Sequence, residues 1–352
     1  SDGDVSLNIA DELPPDGRDG SYNLLGSFGS QKLNPELHVV QARVASKVLL
    51  TGKNVTVSIL GKQQADGTRY YDPAIQYDYN YGIDMTQNPN ADDIDDRVIV
   101  KMIATDGYNR IIVENTGYRG TYALDAGHNS YFLARALKGD NILSVKSDPL
   151  RKMSNSGGYH VASNSRDSDI MMEGINNTLL GEGGGGYNTL LDTYGNVGIT
   201  AEKDNHFLTK AASTGTYIGL ITRSQHGGDT PNITVTANTG NNMVYLDPSS
   251  AAGNFVGIYE DGNYADISLS APHGENRVIA DIDPEAARQT LARYEKTPAD
   301  RIYFTGIKAS AGDSLITLDS QRNIVEIFPS QLGAETSVQG VAIQSDDDFP
   351  YL

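Results

Sequence analysis

The sequence predicts an all-β fold, a right-handed parallel β-solenoid (β-helix) whose coils recur about every 20 residues. Three observations favour this fold. Glycine is abundant, at 37 of 352 residues, and Asn and Asp are frequent, which suits strands separated by turns. The apolar runs are short, and an asparagine opens most of them. Because one short coil cannot bury its own apolar face, such runs require stacked neighbours.

The asparagines give the repeat its period. Apolar runs begin at Asn109, Asn129, Asn141, Asn177, Asn188, Asn196, Asn205, Asn232, Asn242, Asn254, Asn263 and Asn276. Many lie 20 to 22 residues apart, as do Asn109 and Asn129, and two strands per coil fit that spacing. Asparagine tolerates left-handed backbone at tight turns, and stacked amides can hydrogen-bond from coil to coil as a ladder. The alternative is a β-sandwich or propeller with hairpins at similar spacing.

The chain divides into three regions along its length. Residues 1–36 are rich in Asp, Gly and Pro and predict an irregular N-terminal lead-in or cap. Residues 37–281 predict the solenoid, interrupted by a Tyr- and Asp-rich insertion at 63–97 that we interpret as a loop. Residues 282–352 predict a short helix followed by strands, which either cap or continue the solenoid.

The predicted helix has a defined start. Asp283 suits the N-cap, Pro284 the first helical position and Glu285 the positive end of the helix dipole. An apolar stripe then runs to Glu295, and Pro298 follows it. A helix among coils most often packs on the flank or over an open end, so we expect it to act as a cap.

Composition excludes several classes of partner. The formal net charge of -18 repels phosphate backbones and anionic lipid, so we expect no nucleic-acid partner and no direct membrane insertion. No run approaches the roughly 18 apolar residues of a membrane span. The absence of Cys excludes disulfides and is typical of exported bacterial proteins.

A tyrosine cluster is the predicted ligand-binding site. Its residues are Tyr70, Tyr71, Asp72, Tyr77, Asp78, Tyr79 and Tyr81. Tyrosine offers a flat ring for stacking on a sugar and a hydroxyl for hydrogen bonding, while Asp accepts hydrogen bonds from sugar hydroxyls. The alternative is that these rings cover the outer surface of the solenoid.

An acidic segment is the predicted metal site. Asp92, Asp93, Asp95 and Asp96 offer oxygen ligands for a hard cation such as calcium, although they lack the EF-hand spacing. Solvated acidic loops are the alternative. Gly183 to Leu191 follows a calcium-binding nonapeptide, but a single copy with Asn188 at the acidic position favours a structural turn. We expect that no cofactor is required.

No catalytic motif is present. The polygalacturonase pattern is missing, the six histidines have no metal spacing, and there is no nucleophile elbow or phosphate loop. We therefore expect that the chain is not an enzyme. A carboxylate pair assembled from separate coils would not be visible in a linear sequence.

The repeats also carry a resemblance. At Asn177-Thr-Leu-Leu, Asn188-Thr-Leu-Leu and Asn196-Val-Gly-Ile-Thr-Ala, the chain resembles passenger regions of Gram-negative autotransporter or filamentous-haemagglutinin-type adhesins. The resemblance extends from Val98 to Asp281 and carries over no site residue. It implies a secreted protein of the bacterial cell surface, engaged in adhesion or biofilm formation and anchored to the outer membrane through a region outside this chain.

These observations predict a surface-exposed adhesin head or passenger domain that attaches to glycans, to host or other cells, or to a cell-surface receptor. The Tyr-rich insertion and the predicted helix depart from a simple stalk and suggest a head region. Self-association into a homo-oligomer is a further expected partnership. The alternatives are a polysaccharide-degrading β-helix enzyme, including a phage-tailspike-like depolymerase, and a purely structural surface stalk.

Overall fold

The computed structural model is an all-β parallel solenoid. It describes residues 3–10, 22–25, 36–43, 45–60, 62–63, 69–70, 79–85, 97–114, 120–146, 158–183, 186–211, 215–224, 230–247, 253–262, 264–282, 302–310, 315–329 and 338–345. The predicted fold class is confirmed. The predicted helix at 283–295 lies outside the described residues.

Each coil contributes one strand to each of three parallel faces. Face 1 contains β4 (Lys47–Gly52), β9 (Val98–Ala104), β12 (Ser130–Ala136), β15 (Asp169–Gly174), β18 (Asn196–Ala201) and β21 (Asn232–Ala237). Face 2 contains β1 (Val5–Ala10), β5 (Val55–Leu60), β10 (Asn109–Val113), β13 (Asn141–Lys146), β16 (Asn177–Gly183), β19 (Asn205–Ala211) and β22 (Asn242–Asp247). The long strands β24 (Asp266–Ile282) and β26 (Leu315–Pro329) span both faces.

Face 3 is the ten-stranded sheet. It contains β2 (Tyr22–Leu25), β3 (Glu36–Gln41), β8 (Tyr79–Asp84), β11 (Gly120–Ala126), β14 (Gly158–Asn164), β17 (Gly186–Thr193), β20 (Gly215–Arg223), β23 (Gly253–Asp261), β25 (Ile302–Ala309) and β27 (Val338–Ser345). Strand β8 lies within the 63–97 segment, where it is a regular rung between β3 and β11. A short antiparallel pair, β6 (Lys62–Gln63) and β7 (Arg69–Tyr70), lies at the start of the same segment.

The core follows from the alternation of side chains along each strand. In β10, Ile111 and Val113 are fully buried, whereas the alternate residues Arg110 and Ile112 are half-buried on the outer surface. Aromatic rings of neighbouring coils also stack on one another in the core. The rings of Tyr217 and Phe255 are 5.1 Å apart and nearly parallel. Each fully buried large apolar side chain stabilises the fold by roughly 1.5–3 kcal/mol.

A ladder of asparagine amides lines the corner at the start of the face 2 strands. Its members are Asn109, Asn141, Asn177, Asn205, Asn242, Asn276 and Asn323. Each side-chain NH₂ donates to the amide oxygen of the next asparagine, over 2.8–2.9 Å. The predicted coil-to-coil amide ladder is therefore present, and from Asn109 to Asn276 its members are buried.

The coil is longer than the predicted 20 residues. Ladder asparagines of neighbouring coils are 28 residues apart at the shortest, from Asn177 to Asn205, and 47 apart at the longest, from Asn276 to Asn323. Each coil has three strands rather than two. The asparagines that gave the predicted period occupy different corners of the coil, so their spacing is shorter than one full coil. Asn129, for example, lies outside the ladder, in a turn with a left-handed φ of 51°.

Candidate ligand-binding groove

The strands of face 3 carry two columns of polar side chains on the outer surface. In β11, Tyr122 and Asp125 are half-buried on either side of Ala123 and Leu124, which are both fully buried. We define the aromatic column as His38, Tyr81, Tyr122 and His160, and the acidic column as Asp84, Asp125, Ser163 and Asp192. The surface between the two columns is the groove.

The two columns approach each other at two places. His38 Nδ1 lies 2.9 Å from Asp84 Oδ2, and both side chains are buried, so the groove is closed at this N-terminal end. Farther along, His160 Nδ1 lies 3.9 Å from Asp192 Oδ2. The accessible part of the groove therefore runs from the rung of Tyr122 and Asp125 toward the C-terminal coils.

The rings of the aromatic column stack on one another. Centroids lie 4.8 Å apart for His38 and Tyr81, 5.0 Å for Tyr81 and Tyr122, and 4.8 Å for Tyr122 and His160. The planes are within 17° of parallel, so each inner ring covers the faces of its neighbours. A sugar cannot stack on the faces of Tyr81 or Tyr122, and these residues are left to offer their ring edges.

Burial changes the acid-base properties of this part of the groove. Desolvation, and then the neighbouring carboxylate of Asp84, raise the pKa of Asp125 to about 7. Ser163 Oγ donates to Asp125 Oδ1 over 2.7 Å and opposes that rise. Desolvation lowers the pKa of His160. Near neutral pH the groove therefore contains a carboxyl group that takes up or releases a proton readily.

Arg223 connects the two sides of the groove. Its Nε donates to Asp192 Oδ1 over 2.8 Å, and its Nη1 donates to Asp261 Oδ2 over 3.2 Å. A further hydrogen bond runs from Nη2 to the hydroxyl of Tyr187, and the guanidinium lies 5.1 Å from the centre of that ring. The nearby acidic groups raise the pKa of Arg223 despite its burial, so it stays charged and rigidly held.

Beyond Arg223 the groove widens into a cleft of about 510 Å³ on β17, β20, β23, β25 and β27. Its apolar lining includes Ile218, Val256 and Val341. Its polar and aromatic lining includes Asn254, Tyr259, Asp261, Tyr303, Thr305, Lys308 and Gln344. An apolar base with a few convergent polar groups, at this volume, is typical of a small-molecule or oligosaccharide site.

Two tyrosines define the chemistry of the cleft. Tyr303 is 38% exposed, the most accessible aromatic residue in the lining, and so is the side chain best placed to stack on a ligand. Tyr259 is fixed, because its hydroxyl donates to Asp261 Oδ1 over 3.1 Å and Lys308 Nζ lies 4.9 Å from its ring centre. The cleft therefore combines a free aromatic face with an ordered polar wall.

The predicted ligand residues are only partly described. Tyr79 and Tyr81 lie in β8 at the closed end of the groove, with ring centroids 5.9 Å apart. For Tyr70 the structure describes the backbone in β7. Tyr71, Asp72, Tyr77 and Asp78, and the predicted metal ligands Asp92, Asp93, Asp95 and Asp96, lie outside the described residues.

Most residues of the groove were not predicted from the sequence. The residues that were not predicted are Tyr122, Asp125, His160, Asp192, Arg223, Tyr259, Tyr303 and Lys308. A signal was present, because Tyr81 and Tyr122 are each followed three residues later by an Asp, at 84 and 125. These tetrapeptides are paired rungs of face 3, which could not be recognised until the coil length was known.

Within the described ranges, no three His, Asp or Glu side chains form a group that could hold a metal ion. The described part of the chain also contains no helix long and apolar enough to cross a membrane. Comparison with family models, with curated proteins and with solved structures finds no match to this chain. The resemblance to adhesin passenger regions therefore stays a prediction.

Proposed function

We propose that this chain is the glycan-binding head or passenger domain of an exported bacterial surface adhesin, and that it binds without catalysing a reaction. The observation that carries the proposal is the cleft on face 3. Its exposed Tyr303 ring, apolar base and surrounding amide, hydroxyl, carboxylate and ammonium groups match the alternating apolar and hydroxyl faces of a sugar.

The shape of the groove supports an extended ligand. Successive rungs are about 4.8 Å apart, so the five strands around the cleft extend for roughly 19 Å along the solenoid. Several sugar units would fit that length. Each unit would make few contacts, and firm attachment would come from many copies on one cell surface binding together.

A glycan array tests the proposal directly. The purified chain is compared with Tyr303→Ala, which removes the exposed ring of the cleft, and with Tyr264→Ala as a matched control. Tyr264 is 54% exposed and lies in the turn between β23 and β24. We expect glycan binding by the parent chain and the control, and at least a tenfold loss with Tyr303→Ala.

A further arm addresses the sites predicted from sequence. If Tyr71→Ala and Tyr77→Ala abolish binding while Tyr303→Ala does not, the ligand binds the tyrosine segment rather than the cleft. Binding that requires calcium would give a role to Asp92, Asp93, Asp95 and Asp96. No binding by the parent chain would overturn the proposal in favour of a structural stalk.

The second candidate function is polysaccharide cleavage, and Asp125 favours it. A carboxyl group with a pKa of about 7 is suited to act as a general acid. The strand that carries Asp192 lies two rungs away, roughly 10 Å along the solenoid, which is at the upper limit of the carboxyl separation in inverting glycosidases. Release of reducing ends by the parent chain, lost in Asp125→Asn, would establish this function.

A further inference from the structure

The outer surface of face 2 carries an apolar stripe. Its members are Ile112, Ile142, Leu180, Leu208, Met243 and Tyr245, all half-buried and pointing away from the core. They occupy successive rungs of β10, β13, β16, β19 and β22. Ile142 and Met243 lie in one outward column, and Ile112, Leu180, Leu208 and Tyr245 lie in the next, with Ser144, Thr178 and His206 among them. Apolar side chains concentrated on one outer face mark a contact with another macromolecule more often than a solvated face does.

A row of alternating charges borders the apolar stripe on one side. In rung order it consists of Glu114, Lys146, Glu182, Lys210 and Asp247. Lys146 Nζ and Lys210 Nζ lie 3.7 and 3.9 Å from the two carboxylate oxygens of Glu182. Both lysine side chains are more than half exposed, so they remain able to contact a partner.

We propose that this surface binds a second copy of the same chain, face to face and antiparallel. The two-fold axis would lie along the strand direction, between β16 and β19. This rotation keeps the charge row opposite the charge row and reverses the order of the rungs. Glu182 of each copy then meets Lys210 of the other, and Lys146 meets Asp247.

The centre of the apolar stripe matches itself under the same rotation, whereas Tyr245 meets Ser144 and Ile112 meets the buried Ile279. Leu180 of one copy lies opposite Leu208 of the other, and Ile142 lies opposite Met243. Such a self-complementary surface is what a closed two-fold dimer requires. At the ends, Arg110 would meet Arg277, and Glu114 would lie opposite the position of Asp281. The repulsion between the arginines is offset because Glu275 and Glu326 lie 3.7 and 3.9 Å from Arg277.

Charge spacing favours a second copy over an unrelated partner. A matching surface must present opposite charges that alternate at the 4.8 Å rung spacing of a parallel solenoid. This chain has that pattern itself. The net charge of -18 opposes close approach, so the four cross-pairs at the centre must outweigh a general repulsion.

The size of the surface sets the expected strength. Six rungs by three outward columns measure about 24 by 14 Å, or roughly 350 Å² on each copy. Stable complexes bury about 800 Å² on each partner. The dimer is therefore weak and reversible, and it becomes firm only where many copies face one another.

Charge-swapped variants test the dimer by sedimentation velocity. The parent chain should dimerise as its concentration rises from about 10 µM to 1 mM. Glu182→Lys or Lys210→Glu alone should weaken dimerisation at least tenfold, because each places like charges opposite each other twice. An equimolar mixture of the two variants should form heterodimers, since both cross-pairs are then opposite in charge. The double variant should dimerise like the parent chain.

Controls separate association from folding. The exchanged residues are one-third to more than one-half exposed, so the variants should melt close to the parent chain. Lys101→Glu on the outer surface of face 1 should not change dimerisation. A parent chain that stays monomeric at 1 mM would overturn the proposal, as would single variants that dimerise normally or a mixture that behaves like its components. Because the cleft lies on face 3, glycan binding is unaffected by either result.

Discussion

At the scale of single residues, the amide of Asn177 makes three hydrogen bonds, of which the two along the ladder are buried. It donates to Asn205 Oδ1 and to the carbonyl of Thr200, each over 2.9 Å, and accepts from Asn141 over 2.8 Å. Asn177→Ala leaves the buried amides of Asn141 and Asn205 each without one partner, and we expect it to lower the free energy of unfolding by about 2–4 kcal/mol. Urea unfolding followed by circular dichroism measures the change.

Asn196→Ala is the matched control for that prediction. Asn196 is exposed, and its side chain makes a 3.2 Å hydrogen bond to Asp169 on the outer surface of face 1. We expect a change within about 0.5 kcal/mol. Equal urea midpoints for the two variants would show that the ladder does not stabilise the coil stack.

Asp125 makes stability depend on pH. Its pKa of about 7 in the folded chain lies above the roughly 4 of an unfolded aspartate. Between these values the folded chain binds more protons, so the contribution of Asp125 to the free energy of unfolding falls as pH rises from about 4 to about 7. Above that window the loss is complete.

Asp125→Asn should remove this dependence. The amide oxygen can still accept from Ser163, so the variant should match the parent chain near pH 4.5 and exceed its stability at pH 8 by roughly 1–3 kcal/mol. Urea midpoints measured at half-unit pH steps give the difference between the two chains. If the urea midpoints of the two chains changed with pH in parallel, the raised pKa of Asp125 would be contradicted.

At the scale of elements, close coil stacking restricts the middle of the face 3 strands. A methyl group on Gly257 in β23 would lie 2.5 Å from the carbonyl oxygen of Gly306 and 2.3 Å from a Val278 methyl. Gly257→Ala should therefore cost about 1–3 kcal/mol. At Gly198 in β18 the added methyl meets only the flexible end of Met171, so Gly198→Ala should be nearly neutral. Comparable melting temperatures for the Gly257→Ala and Gly198→Ala variants would argue against backbone crowding in face 3.

The elements also show how far sequence reasoning reaches. Alternation in Val55, Val57 and Ile59 and the asparagine before each run predicted strands and the ladder, because both are local patterns. The predicted coil length was wrong, because a linear sequence does not show which asparagines share a corner of the coil. The groove depends on that pairing: Asp125 and Asp192 are 67 residues apart in sequence but two rungs apart in face 3.

At the scale of the whole molecule, stability is distributed along one dimension. Each coil contacts mainly the coils before and after it, as the pairing of β13 with β10 and β16 shows. A middle rung such as β16 is held on both sides, whereas β27 pairs, among the described strands, with β25 alone. Local opening should therefore cost least at the ends.

Hydrogen exchange followed by mass spectrometry should reveal this gradient. We expect amides of β13, β16 and β19 to exchange at least tenfold more slowly than those of β27, because opening a middle rung breaks two strand pairings. Asn177→Ala should speed exchange in β13, β16 and β19 while leaving β27 unchanged, since coupling passes only between adjacent coils. Uniform protection along the chain, or a variant that speeds exchange everywhere equally, would instead indicate one cooperative unit.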